Sequence, residues 1–152
     1  MFKRKYLDLV ILQYKPVSDQ NKNIEHIDYL LNKYAIKKYS CVVCPELSLQ
    51  DYFCITKDVN KFKNAISINS KIVKSLKDIC NKYKIYLCVT IFEKSRDKYY
   101  NTAVIINTYG KIIKKYRKKI FLQRYVMRRN IILIAQETIM NFYLLMTLGL
   151  EY

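Results

Sequence analysis

Apolar positions along this chain fall into short continuous runs that alternate with longer stretches of helical spacing. Leu7–Gln13 (LDLVILQ) is a nearly unbroken apolar run and predicts a buried strand. Pro16 and Ser18-Asp19 break it. From Asn23 onward, Ile24, Ile27, Leu30, Leu31 and Tyr34 recur at helical spacing while Lys22, Glu25, Asp28, Lys33 and Lys37 fill the other face, which predicts an amphipathic helix packed on a sheet. Ser40–Cys44 is apolar on both faces and predicts a strand inside a sheet that is covered from both sides.

Beyond that strand, Phe62, Ala65, Ile66, Val73, Leu76, Cys80 and Tyr83 mark a long second helix, with Asp58 placed to cap its N-terminus. Ile85–Phe92 predicts the third strand. A polar turn, Glu93–Lys98, leads to Tyr100–Asn107, and Thr108-Tyr109-Gly110-Lys111 turns the chain into Ile112–Tyr116, an antiparallel hairpin built around one of only two glycines. The order β-α-β-α-β with a terminal hairpin predicts an α/β domain with a mixed sheet. Neither a G-x-G-x-x-G turn nor a Walker loop is present, which removes dinucleotide and P-loop readings.

Composition narrows the class. In 152 residues, 51% apolar content is enough for a core and argues against disorder. A formal net charge of +16 points by itself to nucleic acid or an anionic membrane. Lys, Asn, Ile and Tyr are abundant together, however, while Gly and Pro occur twice each and Trp not at all, the bias that AT-rich coding DNA imposes everywhere at once. The charge is discounted accordingly, and neither nucleic acid nor membrane is favoured as a partner. Five cysteines, an odd number, and no apolar signal core after Lys3-Arg4-Lys5 predict free thiols in a reducing, cytoplasmic setting.

Spacing then sorts the candidate chemistry. Cys41-x-x-Cys44 has the look of a redox or zinc pair, but residues i and i+3 of a strand point to opposite faces, so the thiols do not share a partner. His26, the sole histidine, lies in the first helix without a Ser or Cys at motif spacing and reads as structural. What remains is Glu46, delivered by Pro45 at the C-terminal end of the second strand, and the basic run Lys114-Lys115-Tyr116-Arg117-Lys118-Lys119. Ligands of open α/β sheets bind at the carboxyl ends of strands, where Glu46 stands. A solvated loop acid or helix cap, and one lysine among several on a solvent-facing strand, are the plainer readings of Glu46 and Lys118.

Two segments carry a family resemblance. Pro45-Glu46-Leu47-Ser48-Leu49-x-x-Tyr52 resembles the glutamate motif of the carbon-nitrogen hydrolase (nitrilase) superfamily, and Gly110-Lys111-x-x-x-x-Tyr116-Arg117-Lys118 resembles its lysine motif. Leu12-Gln13, Asn23 and Tyr100-Asn101-Thr102-Ala103 are supporting marks, and the likeness covers about residues 7–119. The resemblance implies the N-terminal part of an α-β-β-α sandwich, with a mixed sheet and helices on one face, and a Glu-Lys-Cys mechanism on a small amide, carbamoyl or nitrile substrate. By motif match Glu46 is the general base, Lys118 the oxyanion stabiliser and Tyr52 a substrate-binding residue. The physics of those roles is sound: a thiolate needs a neighbouring base or cation, and a fixed ammonium favours the developing oxyanion over the ground state. No metal or organic cofactor is implied, and an intact version would be expected to form a homo-oligomer.

The chain also departs from the family pattern. After Lys118 it runs Lys119-Ile120-Phe121-Leu122 without the usual His or Asn, and no cysteine follows Cys88, so the strand-to-helix elbow that bears the family's nucleophile has no counterpart. Residues 1–121 are therefore expected to be a partial hydrolase domain and 122–152 an atypical tail that leaves the family register near Ile120, through a frameshift, an unspliced intron or a misassigned gene. The expected product is a fragment, inactive by itself. Two further readings concern this end: a membrane anchor at Ile131–Leu150, against which Gln136 and Glu137 argue, and a nucleic-acid surface at Lys111–Arg129, where basic residues interleave with Tyr116, Phe121 and Tyr125. A non-catalytic partner subunit is a third.

Overall fold

The computed structural model describes residues 8–51, 53 and 59–117. They form β1 (Leu9–Ile11), α1 (Gln20–Lys33), β2 (Cys41–Val43), α2 (Lys71–Tyr83), β3 (Tyr86–Ser95), β4 (Lys98–Ile106) and β5 (Ile112–Arg117), with a short 3-10 helix, Val59–Asn64, between β2 and α2. The strands make one sheet in the order β1-β2-β3-β4-β5. β1, β2 and β3 run parallel, and β3, β4 and β5 run antiparallel. The mixed sheet and the β4–β5 hairpin thus agree with the pattern read from the sequence.

Both helices cover the same face. Val42, Leu87, Val89, Ile91, Val104 and Ile106 on the sheet join Ile27 and Leu31 of α1 and Val73 and Leu76 of α2 in one core. These sheet residues share a face because each pairs with another across the ladder or stands two positions along the same strand. Burial of this apolar layer is the main stabilising term of the domain. The helices are also tied to each other: Lys82 pairs with Asp28 at 2.9 Å, and the Tyr83 hydroxyl donates to the Asp28 carbonyl at 3.3 Å.

Local chemistry sets the helix ends. The Asp19 side chain accepts from the backbone N–H groups of Asn21 and Lys22, so α1 begins at Gln20, three residues earlier than the apolar spacing predicts. Asn23, buried on this helix, holds the incoming loop by accepting from Val17 N at 2.9 Å and donating to Val17 O at 2.7 Å. α2 starts at Lys71 because Ser70 caps it by accepting from Val73 N, and it ends at Lys84 in the left-handed region with φ 55°.

Three expectations need correction. The second helix does not begin near Phe62: Phe62 lies in the 3-10 helix, and Ile66 is extended, donating to Phe92 O and accepting from Lys94 N as a one-residue parallel bridge to β3. Apolar residues at helical spacing were here divided between a bridge and a helix, with Ser70 as the true start. The polar stretch Glu93–Lys98 is not a turn but the ends of β3 and β4, closed by Arg96-Asp97 alone. Glu93 stays in the strand because its carboxylate is neutralised inside the fold, as described below. The first strand is shorter than its apolar run and lies at the sheet edge, leaving Leu9 and Ile11 exposed at 48% and 69% while Val10 and Leu12 turn to the core. Asp58, the expected cap, lies outside the described residues.

No helix among the described residues is long and apolar enough to cross a membrane. The tail from 122 to 152, with the span considered at Ile131–Leu150 and most of the basic stretch beyond β5, lies outside the described residues, as does the boundary expected at 121.

Candidate active site

The site is built at the carboxyl end of the parallel strands. After β2 the ladder continues for one more bond, Cys44 N to Cys88 O at 2.9 Å, and Pro45 then turns the chain away so that Glu46 leaves the sheet. Leu47, buried, takes φ 48°, a conformation that costs a branched side chain roughly 1 kcal/mol or more and that the surroundings must enforce.

Ser48 is what enforces it. Its N–H donates to Thr90 O at 3.1 Å, its hydroxyl oxygen accepts from Thr90 N at 3.2 Å, and its hydroxyl donates to Pro45 O. The Thr90 hydroxyl also donates to Pro45 O, at 3.1 Å. The Tyr14 hydroxyl, from the loop after β1, donates to Ser48 O at 3.0 Å. The turn Pro45–Ser48 is therefore clamped to β3 and to the β1 loop on either side of Glu46.

Glu46 itself is half-buried, and its Oε1 accepts from Asn101 Nδ2 of β4 at 2.8 Å. Asn101 stands opposite Phe92 in the β3–β4 ladder, so the two share the sheet face that the helices do not cover. Phe92 belongs to an aromatic cluster: its ring lies 4.9 Å from Phe53 and 5.4 Å from Phe62, and Tyr99 lies 4.8 Å from Phe62. A carboxylate held at one oxygen by an amide is an arrangement able to accept a proton at a fixed position.

The described thiols are the opposite of activated. Cys41, Cys44, Cys80 and Cys88 are free and buried. Burial pushes Cys41, Cys80 and Cys88 up to about 12, with Cys88 adding to the rise at Cys41, and raises Cys44 further still. Cys44 belongs to the helix-side core and Cys41 does not, in keeping with their expected opposition. Among the described residues no group of His, Cys, Asp and Glu is arranged to hold a metal ion. His26 packs between Tyr14 and Tyr29, ring to ring, at 5.3 and 6.2 Å.

Of the three residues singled out by motif, the structure describes Glu46. Tyr52 and Lys118 lie outside the described residues. Sequence reasoning did not find Ser48 and Thr90 as the clamp of the glutamate turn, nor Asn101 as the partner of Glu46, although Asn101 was part of a supporting mark. It also missed Glu93, buried to 1% exposure, which Arg117 holds through Nε at 2.8 Å and Nη2 at 2.7 Å while the Thr102 hydroxyl donates at 2.7 Å. Burial pushes the Glu93 carboxyl up, but the Arg117 and Thr102 hydrogen bonds and the Lys115 ammonium outweigh it and leave the carboxyl below its ordinary value.

Comparison with known proteins places this architecture. Residues 9–133 match the family model described as carbon-nitrogen hydrolase. The chain is 27% identical over 113 residues to a citrullinase of Francisella tularensis subsp. tularensis, an alignment that takes in 74% of this chain and 40% of the relative. A carbon-nitrogen hydrolase structure from Helicobacter pylori G27 superposes with a TM-score of 0.66 at 26% identity, over 77% of this chain and 41% of that one. An N-terminal amidase shares the fold, with a TM-score of 0.64 at 21% identity over 77% of this chain and 29% of that one. The chain thus spans about two fifths or less of the length of these relatives.

Proposed function

Because the chain belongs to the carbon-nitrogen hydrolase family, we propose that it is the N-terminal part of an amidase- or nitrilase-type enzyme acting on a small amide, carbamoyl or nitrile substrate, with Glu46 as general base and Lys118 as oxyanion stabiliser. The single observation that carries this reading is the Glu46–Asn101 hydrogen bond across the clamped turn. Strand register extends it. The last described pair of the β4–β5 ladder is Thr102 with Arg117, and each is the sequence neighbour of one of the residues in question, Asn101 and Lys118. Tyr52, six residues after Glu46 in the sequence, is proposed to contact substrate.

In the proposed reaction Glu46 takes the proton of a cysteine thiol, and the thiolate attacks the amide carbon to form a tetrahedral adduct whose oxyanion faces the Lys118 ammonium. The carbon–nitrogen bond then breaks, the amine leaves with the proton returned by Glu46, and a thioester remains. Water deprotonated by Glu46 attacks the thioester, and the thiol and acid product separate. The buried cysteines of this chain are unsuited to the nucleophile's part, so the thiol is assigned to the portion of the fold that the relatives possess and these residues do not span. A homo-oligomer and a reducing cytoplasmic setting belong to the same proposal, the latter supported by the free thiols of Cys41, Cys44, Cys80 and Cys88 among the described residues.

The test is a hybrid in which the C-terminal portion of the citrullinase, with its own nucleophile, follows residue 118 of this chain. Ammonia release from citrulline or a simple amide is expected, and Glu46→Gln and Lys118→Met are each expected to lower it by roughly 10²–10³-fold. A folded hybrid that hydrolyses at full rate with Glu46→Gln would refute the assignment.

A further inference from the structure

The strand that leads to Lys118 carries little register information of its own. In β5, Ile113, Lys114, Lys115 and Tyr116 are all exposed, and Ile112 and Arg117 are half-buried. Strands with a buried apolar face resist slippage; strands without one slip readily, and a slip of one residue sends every side chain to the opposite face. The β4–β5 ladder already contains an irregularity between Ile105 and Ile106. The tight Asn107–Lys111 turn and Ile112 on the core set the register at the near end of the hairpin, but beyond the irregularity another feature must fix where the far end of β5 sits.

Glu93 supplies it. Its carboxylate accepts both arms of the Arg117 guanidinium, and that guanidinium lies over the Tyr100 ring at 4.2 Å. Lys115, two positions back on the same face, comes only to 3.6 Å of Glu93 Oε1. A slip of one residue would offer Glu93 either Tyr116 or Lys118, and a slip of two would offer Lys115 or Lys119. Between positions 114 and 119 Arg117 alone is an arginine, so only the observed register gives the buried carboxylate a planar, two-armed partner that also stacks on an aromatic ring.

We propose that Glu93 and Arg117 are positioning residues that lock the register of β5, and so fix which of its several similar cations is carried toward the end of the strand where Thr102 and Arg117 pair. The inference rests on the functional reading only for the identity of that cation, Lys118.

Nuclear magnetic resonance on the full chain tests it without recourse to activity. The unsubstituted chain is expected to show one set of β5 signals with cross-strand contacts between Thr102 and Arg117. Arg117→Lys keeps the charge and removes the fork. The double variant Glu93→Met/Arg117→Met keeps the buried volume without either charge, a replacement that tends to preserve folding. In both, β5 signals are expected to double or broaden, Thr102 contacts to spread over neighbouring β5 positions, and amide exchange in the β4–β5 ladder to quicken by about tenfold or more, with β3–β4 and α2 unchanged. A single unshifted register with unsubstituted exchange rates in the double variant would overturn the lock, whether or not Arg117→Lys folds. Failure of the functional reading shows separately, as intact Thr102–Arg117 pairing without contact between Asn101 and Lys118.

Discussion

Asn101 donates from Nδ2 to Glu46 Oε1 at 2.8 Å, so a carboxylate at the end of β2 is held by a strand two places away in the sheet. The bond joins the parallel half of the sheet to its antiparallel half at the point where the glutamate turn leaves it. Asn101→Asp puts a second carboxylate where the donor was, and like charges at that distance repel. The variant is expected to lose more stability at pH 7 than at pH 4, by about 1 kcal/mol or more, in urea unfolding at the two pH values. Equal losses at both would mean that the two side chains do not face each other.

The Glu93 carboxyl sits below its ordinary value of 4.5 in the folded chain. A depressed carboxyl contributes stability that is fully present above that value and is lost as pH falls through the folded-state value. Glu93→Gln is therefore expected to flatten the acid limb of the stability curve below about pH 4.5 while lowering stability at neutral pH. The check is unfolding free energy against pH for the two chains.

Gly110 takes φ +74° in the β4–β5 turn, and a Cβ there would stand 2.7 Å from Lys77 O of α2. Both the backbone angle and the close approach oppose a side chain. Gly110→Ala is expected to cost roughly 1–3 kcal/mol, measured by urea or thermal unfolding, and to free the hairpin from α2.

The thiols of Cys41, Cys44, Cys80 and Cys88 are buried and held in the protonated form by that burial. At pH 8 each is expected to react with an aromatic disulfide reagent at least about 10²-fold more slowly in the folded chain than in guanidinium, where all five cysteines titrate. Mass spectrometry of the labelled peptides assigns the rates.

Much of the fold was legible in the sequence because period and burial coincide there. Ile24, Ile27 and Leu31 announce α1 by spacing, and Cys41–Val43 announces a central strand by being apolar on both faces. The misreadings have local causes. Ile66 reads as helical because it falls at helical spacing with Phe62 and Val73; its extended state is set by hydrogen bonds to Phe92 and Lys94, which spacing does not reveal. Glu93 looked like a turn residue because a lone acid in a polar stretch is ordinarily solvated; its burial depends on Arg117, 24 positions away. The same holds for the site. Glu46 could be found from its neighbours, but Asn101 and Thr90 meet it or its turn only through strand pairing, which no local pattern encodes.

The proposed convergence of Glu46 and Lys118 is tested most directly by zero-length carbodiimide coupling of the native chain, followed by peptide mapping. Lys74–Asp78 and Lys82–Asp28, ion pairs at 2.8 and 2.9 Å, serve as internal standards for coupling at contact distance. The account predicts an isopeptide bond between Glu46 and Lys118. Efficient coupling of the standards with Glu46 uncoupled, or joined to another lysine in place of Lys118, would contradict it.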